Sequence, residues 1–368
     1  MKLDLAEPLN RLVGSKYLSA KSSGSLVFSP TELTIIYSRS GIPVISSSTT
    51  TSMLLDLIPV QFQLRYCPAL SKKPGASKPE SGASQPKSKP DPFENPKGLL
   101  VTRLPDQSHG THNLVLNKYP VIPRHSILST IEFKKQTDFL EDQDLEVTYS
   151  CLQLWEAEST DEVMSRLFAF FNSGEHSGAS QNRRHLQILP VRDMMGPESQ
   201  KPEWKPLIDL LMTEPLPDQP SILRNPLLPF CHYAMRIPPS PGAGILNQIY
   251  QCLYDRASSS LQSWNEECSP EQTALNSYAG EASISYNLAM TTQAMAICPR
   301  RSETAVVPTA NGEGSVAVNG TILAGTLMVK EKSEWDAIRQ GQVVIDEVLA
   351  EIGIPQSSYS GRPSSTRL

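Results

Sequence analysis

The stretch Phe168–Pro190, FAFFNSGEHSGASQNRRHLQILP, reads as two buried strands joined by a long turn rich in Ser and Gly. Phe168–Phe171 forms the first strand and His185–Val191 the second. Side chains alternate between the two faces of a strand. His185 and Gln187 therefore share one face, and Leu186 and Ile188 the other. A connection between two strands needs only about two to five residues. This one, running through Asn172, Ser173, Gly174, Ser177, Gly178, Ala179, Ser180 and Gln181, is roughly twice as long. Over-long polar connections of this kind carry function more often than structure. Main-chain N–H groups and hydroxyls in such a turn can seat an anion. A lone histidine at a strand start is ordinarily a core residue with one hydrogen bond; the turn and Gln187 are what give His185 a second reading.

That reading is nucleotidyl transfer through a histidine. A neutral imidazole attacks an α-phosphorus in line and displaces the rest of the polyphosphate. The phosphoramidate it forms passes the nucleotide to a second acceptor, so one hard displacement becomes two easier ones. Charge builds on the non-bridging oxygens, where a donor such as Gln187 acts most strongly. Arg183 and Arg184 add positive charge nearby, Arg184 being expected on the outer surface.

Composition narrows the alternatives. A formal net charge of −5 and a pI of about 5.8 lack the basic footprint of a nucleic-acid binder. The six cysteines are scattered without a C-x-x-C pair, which fits free thiols in a reducing compartment and not a zinc site. His109-x-x-His112 has metal-ligand spacing but lies in a loop without nearby cysteines. No G-x-S-x-G elbow and no G-x-x-x-x-G-K-[ST] loop occurs. No apolar run of about 18 residues exists to span a membrane, and the acidic, amphipathic N-terminus is not a signal peptide. A cytoplasmic chain, with the nucleus also open to it, is expected.

Leu3, Leu5, Leu9, Leu12 and Val13 predict an N-terminal helix. Leu26–Phe28, Leu33–Tyr37, Leu99–Thr102, Asn113–Lys118 and His125–Thr130 predict strands, and Asp142–Glu158 a helix. Ser71–Lys97 is Pro-, Ser- and Lys-rich and reads as a flexible loop. After a Pro-rich crossing, His232–Pro238 predicts a strand, Ile245–Leu261 a helix, and Ala282–Met290 with Met295–Pro299 a strand pair. Val316–Lys330 carries small residues that let a backbone approach a ligand. Val344–Ile352 is the last helix. Strands and helices mix without regular βαβ alternation, so the class is α+β. The expected organisation is residues 1–215, then 216–355, then a disordered tail, 356–368.

The block FFNSGEHSGASQNRRHLQILP, with LVLNKYPVIPRHSILST before it and ISYNLAMTTQAMAICPRRSE and VNGTILAGTLMVK after it, resembles the fungal diadenosine tetraphosphate phosphorylases, also called ATP adenylyltransferases. These belong to the histidine-triad superfamily, on the branch near galactose-1-phosphate uridylyltransferase. The resemblance implies a histidine-triad-like fold of two related antiparallel-sheet halves with packed helices. It implies phosphorolysis of diadenosine tetraphosphate by phosphate to ATP and ADP, with ADP-sulfurylase-type exchange on sulfate. Partners are then dinucleoside polyphosphates, ATP, ADP and phosphate or sulfate, with no nucleic acid and no membrane. The protein itself is expected to need no cofactor, Mg2+ arriving only with the nucleotide. On the family pattern His185 matches the nucleophile and Gln187 the amide beside it. Asn172 and Gly178, Ala179, Ser180 and Gln181 match the nucleotide turn. Asn117 and Lys118 match a binding pair and Lys73 a substrate lysine. Asn319, Gly320, Thr321, Thr326 and Lys330 match further substrate contacts.

Two departures from the pattern stand out. The family motif H-x-H-x-Q reads Arg183-Arg184-His185-Leu186-Gln187 here, so a permanent cation replaces the first histidine. It is expected either to contact phosphate or to crowd the nucleotide and reduce activity. This leaves an impaired nucleotide-binding homologue as the alternative, with a dinucleoside polyphosphate hydrolase as a third reading. In addition, Val44–Val60 interrupts the junction between GIP and FQLRY; it reads as an intron or gene-model artefact, or else as a surface loop.

Overall fold

A computed structural model of the chain describes residues 1–44, 56–71, 90–158, 166–196, 204–268 and 278–356. In chain order the elements are α1 (Leu9–Ser22), β1 (Glu32–Val44), β2 (Asp56–Tyr66), β3 (Leu100–Leu104), β4 (His112–Leu116), β5 (Ser126–Thr130), α2 (Asp142–Ala157), β6 (Leu167–Ser173), β7 (His185–Pro190) and the short α3 (Val191–Met194). There follow β8 (Glu214–Pro215), β9 (Leu223–Arg224), β10 (Tyr233–Arg236), α4 (Ile245–Cys268), β11 (Tyr286–Met290), β12 (Ala294–Pro299), β13 (Thr304–Thr309), β14 (Gly312–Ala317), β15 (Thr326–Val329), α5 (Lys332–Arg339) and α6 (Ile345–Ile352).

Ten strands form one sheet in the order β3-β4-β5-β7-β6-β11-β12-β10-β9-β8. A strand–helix–hairpin unit occurs in it twice, as β5–α2–β6–β7 and as β10–α4–β11–β12. The two units meet antiparallel at β6 and β11, from Tyr286 opposite Ser173 to Met290 opposite Ala169. The two halves expected from the sequence are thus joined edge to edge in a single sheet.

Strand alternation sorts the core into two layers. Ala169, Phe171, Leu186 and Ile188 pack with Val13, Leu145, Leu152 and Leu253 of α1, α2 and α4. Phe168, Phe170, Leu189 and Ala296 pack on the opposite face. That face is covered by the three-stranded sheet β1-β2-β15, the β13–β14 hairpin, α5 and α6. Each Phe or Leu buried this way contributes about 1.5–3 kcal/mol. His185 and Gln187 share the parity of Leu189, which puts them on the face away from the main helices.

Several expectations need correction. Leu26–Phe28 joins no ladder; it runs as an extended connection in which Val27 N–H donates to the Lys118 carbonyl. Helix α1 begins only at Leu9, after Pro8, and α4 continues to Cys268. The β13–β14 hairpin and α5 had no counterpart in the sequence reading. Pro308 within β13 is tolerated because the hairpin is two-stranded, and the outer edge of β13 pairs with no further strand among the described residues. The interrupting segment does not end cleanly at Val60, since Asp56–Val60 continues β2 and pairs with β1 up to Val44 opposite Asp56. Residues 45–55 lie outside the described residues. Of the stretch read as a flexible loop, 90–97 is ordered, and Phe93 is buried in it. No described helix is long and apolar enough to cross a membrane.

Candidate active site

His185 opens β7 opposite Ser129 of β5. On its other side the β6–β7 ladder runs from Leu167–Pro190 to Phe170–Gln187. Beyond that rung the buried Gln136 replaces the ladder. Its Nε2 donates to the carbonyls of Asn172 (2.7 Å) and His185 (3.2 Å), and its Oε1 accepts from His185 N–H (2.8 Å). The imidazole Nδ1 lies 2.8 Å from the Arg183 carbonyl. A carbonyl can only accept, so Nδ1 carries the proton and Nε2 presents its lone pair. Burial holds the His185 pKa below the usual value, with the Arg183 carbonyl and the Asp91 carboxylate pulling the other way. The ring is therefore neutral near pH 7, the form a nucleophile needs.

Phe93 stacks at a tilt on His185, with ring centroids 5.0 Å apart. It packs with Val115, Ile127 and Leu100 into a small apolar cluster beside the histidine. Asn113, Val115 and Asn117 alternate on this same face. Asn117 lies at the far end of β4, about 13 Å from the His185 row at roughly 3.3 Å per residue. There its amide meets His125 Nδ1 (3.2 Å) and accepts from Tyr119 N–H (2.9 Å). Lys118 is exposed, its Nζ 5.5 Å from the Tyr119 ring centre. Asn117 is thus on the His185 side of the sheet but not beside His185, and Lys118, one residue further on, does not share that alternation.

The turn after β6 does approach it. Gly178 has φ +78°, and a Cβ there would stand 2.8 Å from the Cβ of Asn319. Only glycine lets the turn lie against the C-terminal half so closely. The N–H groups of Gly178, Ala179, Ser180 and Gln181 have no acceptor among the described residues. Asn172 Oδ1 accepts from Gly320 N–H (2.9 Å) and from Asn287 Nδ2 (2.9 Å). Asn172, Gly178, Asn319 and Gly320 thus form one junction. Thr321 donates its hydroxyl to Asn319 Oδ1 (2.8 Å) and the Thr326 carbonyl (2.9 Å). Thr326, fully buried, donates to Gln63 Oε1 (3.1 Å). The two hydroxyls therefore brace the Gly320–Ala324 turn. Lys330 follows β15, half-buried and outside every described ion pair. Lys73 lies outside the described residues.

His185 Nε2, the Gln187 amide and Asn172 Nδ2 have no hydrogen-bond partner among the described residues, and neither do the neighbouring hydroxyls of Ser129, Thr130 and Ser173. The two arginines that precede His185 are held in ion pairs. Arg184, expected at the surface, is buried, and donates to Glu141 (2.9 Å) and Asp144 (2.8 Å). Asp144 also accepts from His112 Nε2 (2.9 Å) and closes the N-terminus of α2 by accepting from Glu141 N–H. A buried cation without these carboxylates would be too costly, which is why the arginine turns inward. His112 thus belongs to an ion network, and no group of potential metal ligands occurs among the described residues. Arg183 donates from Nε to Asp91 (2.5 Å) and from Nη1 to the Ile131 carbonyl (2.7 Å). Its side chain is tied off, while its carbonyl orients His185.

Sequence reasoning missed Gln136, Asp91, Phe93, Asn287 and Arg300. Phe93 alone left a signal, as the one aromatic in a Pro- and Lys-rich tract. The others act through contacts remote in sequence.

Comparison with known proteins agrees with this geometry. The family model of the Ap4A phosphorylase N-terminal domain matches residues 23–209, and that of the ATP adenylyltransferase C-terminal domain matches 226–355. The chain belongs to the Ap4A phosphorylase family. It is 28% identical over 362 residues to diadenosine 5',5'''-P1,P4-tetraphosphate phosphorylase 2 of Saccharomyces cerevisiae, covering 96% of this chain and 97% of the relative. It is likewise 28% identical to Protein APA1 of the same yeast, covering 94% of each. The crystal structure of yeast Ap4A phosphorylase Apa2 superposes with a TM-score of 0.69 at 25% identity, covering 98% of both chains. The same enzyme in complex with Ap4A gives a TM-score of 0.69, covering 96% of this chain and 99% of that one. The α+β, histidine-triad-like fold expected from the sequence is the fold of this Ap4A phosphorylase family member, and the family is one of nucleotidyltransferase-type enzymes.

Proposed function

We propose that the protein catalyses phosphorolysis of diadenosine tetraphosphate, with His185 as adenylyl carrier. The single observation behind this is the state of His185: a neutral, buried imidazole whose Nδ1 proton is fixed on the Arg183 carbonyl and whose Nε2 is unspent.

In the first step the Nε2 lone pair attacks an α-phosphorus of Ap4A. An Nε2–P bond forms, the P–O bond to the remaining polyphosphate breaks, and ATP leaves. The imidazole becomes cationic, and the Arg183 carbonyl on Nδ1–H stabilises that charge. In the second step an oxygen of inorganic phosphate attacks the same phosphorus. The Nε2–P bond breaks, ADP leaves, and the ring returns to neutrality. Gln187 and Asn172 Nδ2 donate to the non-bridging oxygens as charge accumulates, and the N–H groups of Gly178–Gln181 seat the adjoining phosphates. Sulfate has the size and charge to replace phosphate as acceptor. Mg2+ enters as part of the polyphosphate substrate.

An impaired binder is not favoured. Arg183 is neutralised by Asp91 and spends itself on main-chain carbonyls, so it leaves the nucleophile in working geometry.

The test is to incubate α-labelled Ap4A with the protein without phosphate. Label should appear on His185 with release of ATP, and added phosphate should discharge it as ADP. His185→Ala should take no label. Label that water discharges as fast as phosphate does would make the protein a hydrolase, and no label on the wild-type chain would make it a binder.

A further inference from the structure

We infer that Arg300 and Asn287, both from the C-terminal half, are positioning residues that fix the orientation of the Asn172 amide for the nucleotide phosphates. This rests on the proposed role of Asn172 as a ligand donor.

Arg300 follows β12 and is 1% exposed. All its hydrogen-bond partners are neutral. Nη1 donates to Asn287 Oδ1 (2.5 Å), Nη2 to the carbonyls of Ser302 (2.8 Å), Val318 (3.0 Å) and Glu303 (3.5 Å), and Nε to that of Ile352 (3.4 Å). No carboxylate pairs with it among the described residues. Burial lowers its pKa to about 10, so it stays charged at neutral pH. A buried cation whose hydrogen bonds all go to dipoles, with the Glu303 charge acting on it but forming no ion pair, costs more than an apolar side chain of the same size. Its retention needs a reason, and the hydrogen bonds supply one.

With Oδ1 held by Arg300, the Asn287 amide cannot flip, and Nδ2 must donate. It donates to Asn172 Oδ1 (2.9 Å) and to the Ser177 carbonyl (2.9 Å) in the nucleotide turn. Asn172 Oδ1 also accepts from Gly320 N–H (2.9 Å). An inverted Asn172 would set its NH2 against two other donors, so that orientation is excluded. Nδ2, the ligand donor, is therefore set by a chain that ends in a fixed positive charge. Each donor in the chain polarises the next, which strengthens the last one toward an anion. The same guanidinium holds the Val318 carbonyl, next to Asn319, so both walls of the junction depend on it.

Asn287→Asp separates this role from a structural one. The carboxylate gains an ion pair with Arg300, which supports the fold, but it has no N–H for Asn172 or Ser177. The ion pair offsets the two lost hydrogen bonds only in part, so the variant should stay folded with a melting temperature at or somewhat below that of the wild-type chain. Its Kd for AMP by calorimetry should rise at least tenfold, and adenylylation of His185 by labelled Ap4A should slow by a similar factor. In an Asn172→Ala background the same substitution should add less than twofold, since the amide it orients is gone. Arg300→Lys, which keeps the charge but loses the fork, should show the same dependence on Asn172 and decides the question separately. Unchanged AMP affinity in a folded Asn287→Asp, or equal losses with and without Asn172, overturns the inference while labelling of wild-type His185 leaves the proposed function intact. Failure of the wild-type chain to take label overturns the proposed function instead.

Discussion

Gln136 grips His185 by both of its main-chain groups, accepting from the N–H at 2.8 Å and donating to the carbonyl at 3.2 Å. The same Nε2 donates to the Asn172 carbonyl at 2.7 Å. One buried amide thus sets the spacing between the nucleophile and the start of the nucleotide turn, at the point where the strand ladder stops. Replacing it by Gln136→Leu should lower the single-turnover adenylylation rate by roughly 10–100-fold, because small displacements of a nucleophile are costly. The buried groups left unpaired should also cost about 1–3 kcal/mol each in a denaturation experiment. An unchanged rate in a destabilised variant would show that the amide serves the fold alone.

Asp91 bears on the charge of the nucleophile. Its carboxylate raises the pKa of His185, while burial lowers it more. Asp91→Asn removes the raising influence and leaves Arg183 as an unneutralised cation next to the ring. Both changes disfavour imidazolium, so the pKa falls. The acid limb of the pH–rate profile, where protonation removes the Nε2 lone pair, should move to lower pH. An unmoved acid limb would show that His185 does not sense this carboxylate.

Restoring the family histidine tests the departure at position 183. The carbonyl that orients His185 survives Arg183→His, while the ion pair with Asp91 is lost. Phosphorolysis should change by less than about threefold. A gain of tenfold or more would mean that the guanidinium does obstruct the nucleotide.

Gly178→Ala should uncouple the turn from the C-terminal half. The added Cβ would meet Asn319 at 2.8 Å and sit at φ +78°. Strain of about 1–3 kcal/mol is expected at such a position. The KM for Ap4A should rise several-fold more than kcat falls, as steady-state kinetics can show.

His232 supplies a pH dependence remote from the site. Its Nδ1 donates to the Phe230 carbonyl (3.0 Å) and its Nε2 accepts from Asn225 N–H (2.9 Å), so only the neutral ring fits. Burial lowers its pKa from 6.5 to about 4. Between those values the unfolded chain binds a proton that the folded one does not, and stability falls as the pH drops. Near pH 5 the loss from this residue is about 2 kcal/mol. Urea unfolding at pH 7 and pH 5 should therefore show a smaller difference in His232→Gln than in the wild-type chain.

Strand periodicity and turn chemistry were enough to locate β6, β7, α2, α4 and the β11–β12 pair, and to put His185 and Gln187 on one face. These are local properties: a strand alternates its side chains whatever it pairs with, and a Gly-Ser turn is over-long in any context. The resemblance of the motif blocks added the family. What the chain order concealed was set by pairing. Only the sheet brings β6 beside β11, and so Asn172 beside Asn287, which lie 115 residues apart. Asp91 and Phe93 looked like part of a solvated tract because their partners, Arg183 and His185, lie some ninety residues further on. Arg184 pointed inward against expectation because Glu141 and Asp144 at the head of α2 pair with it there. Composition and periodicity describe what each segment can bury. Which charges find partners, and which donors are left over for a ligand, is decided only when distant segments share an interior where an unpaired polar group is expensive.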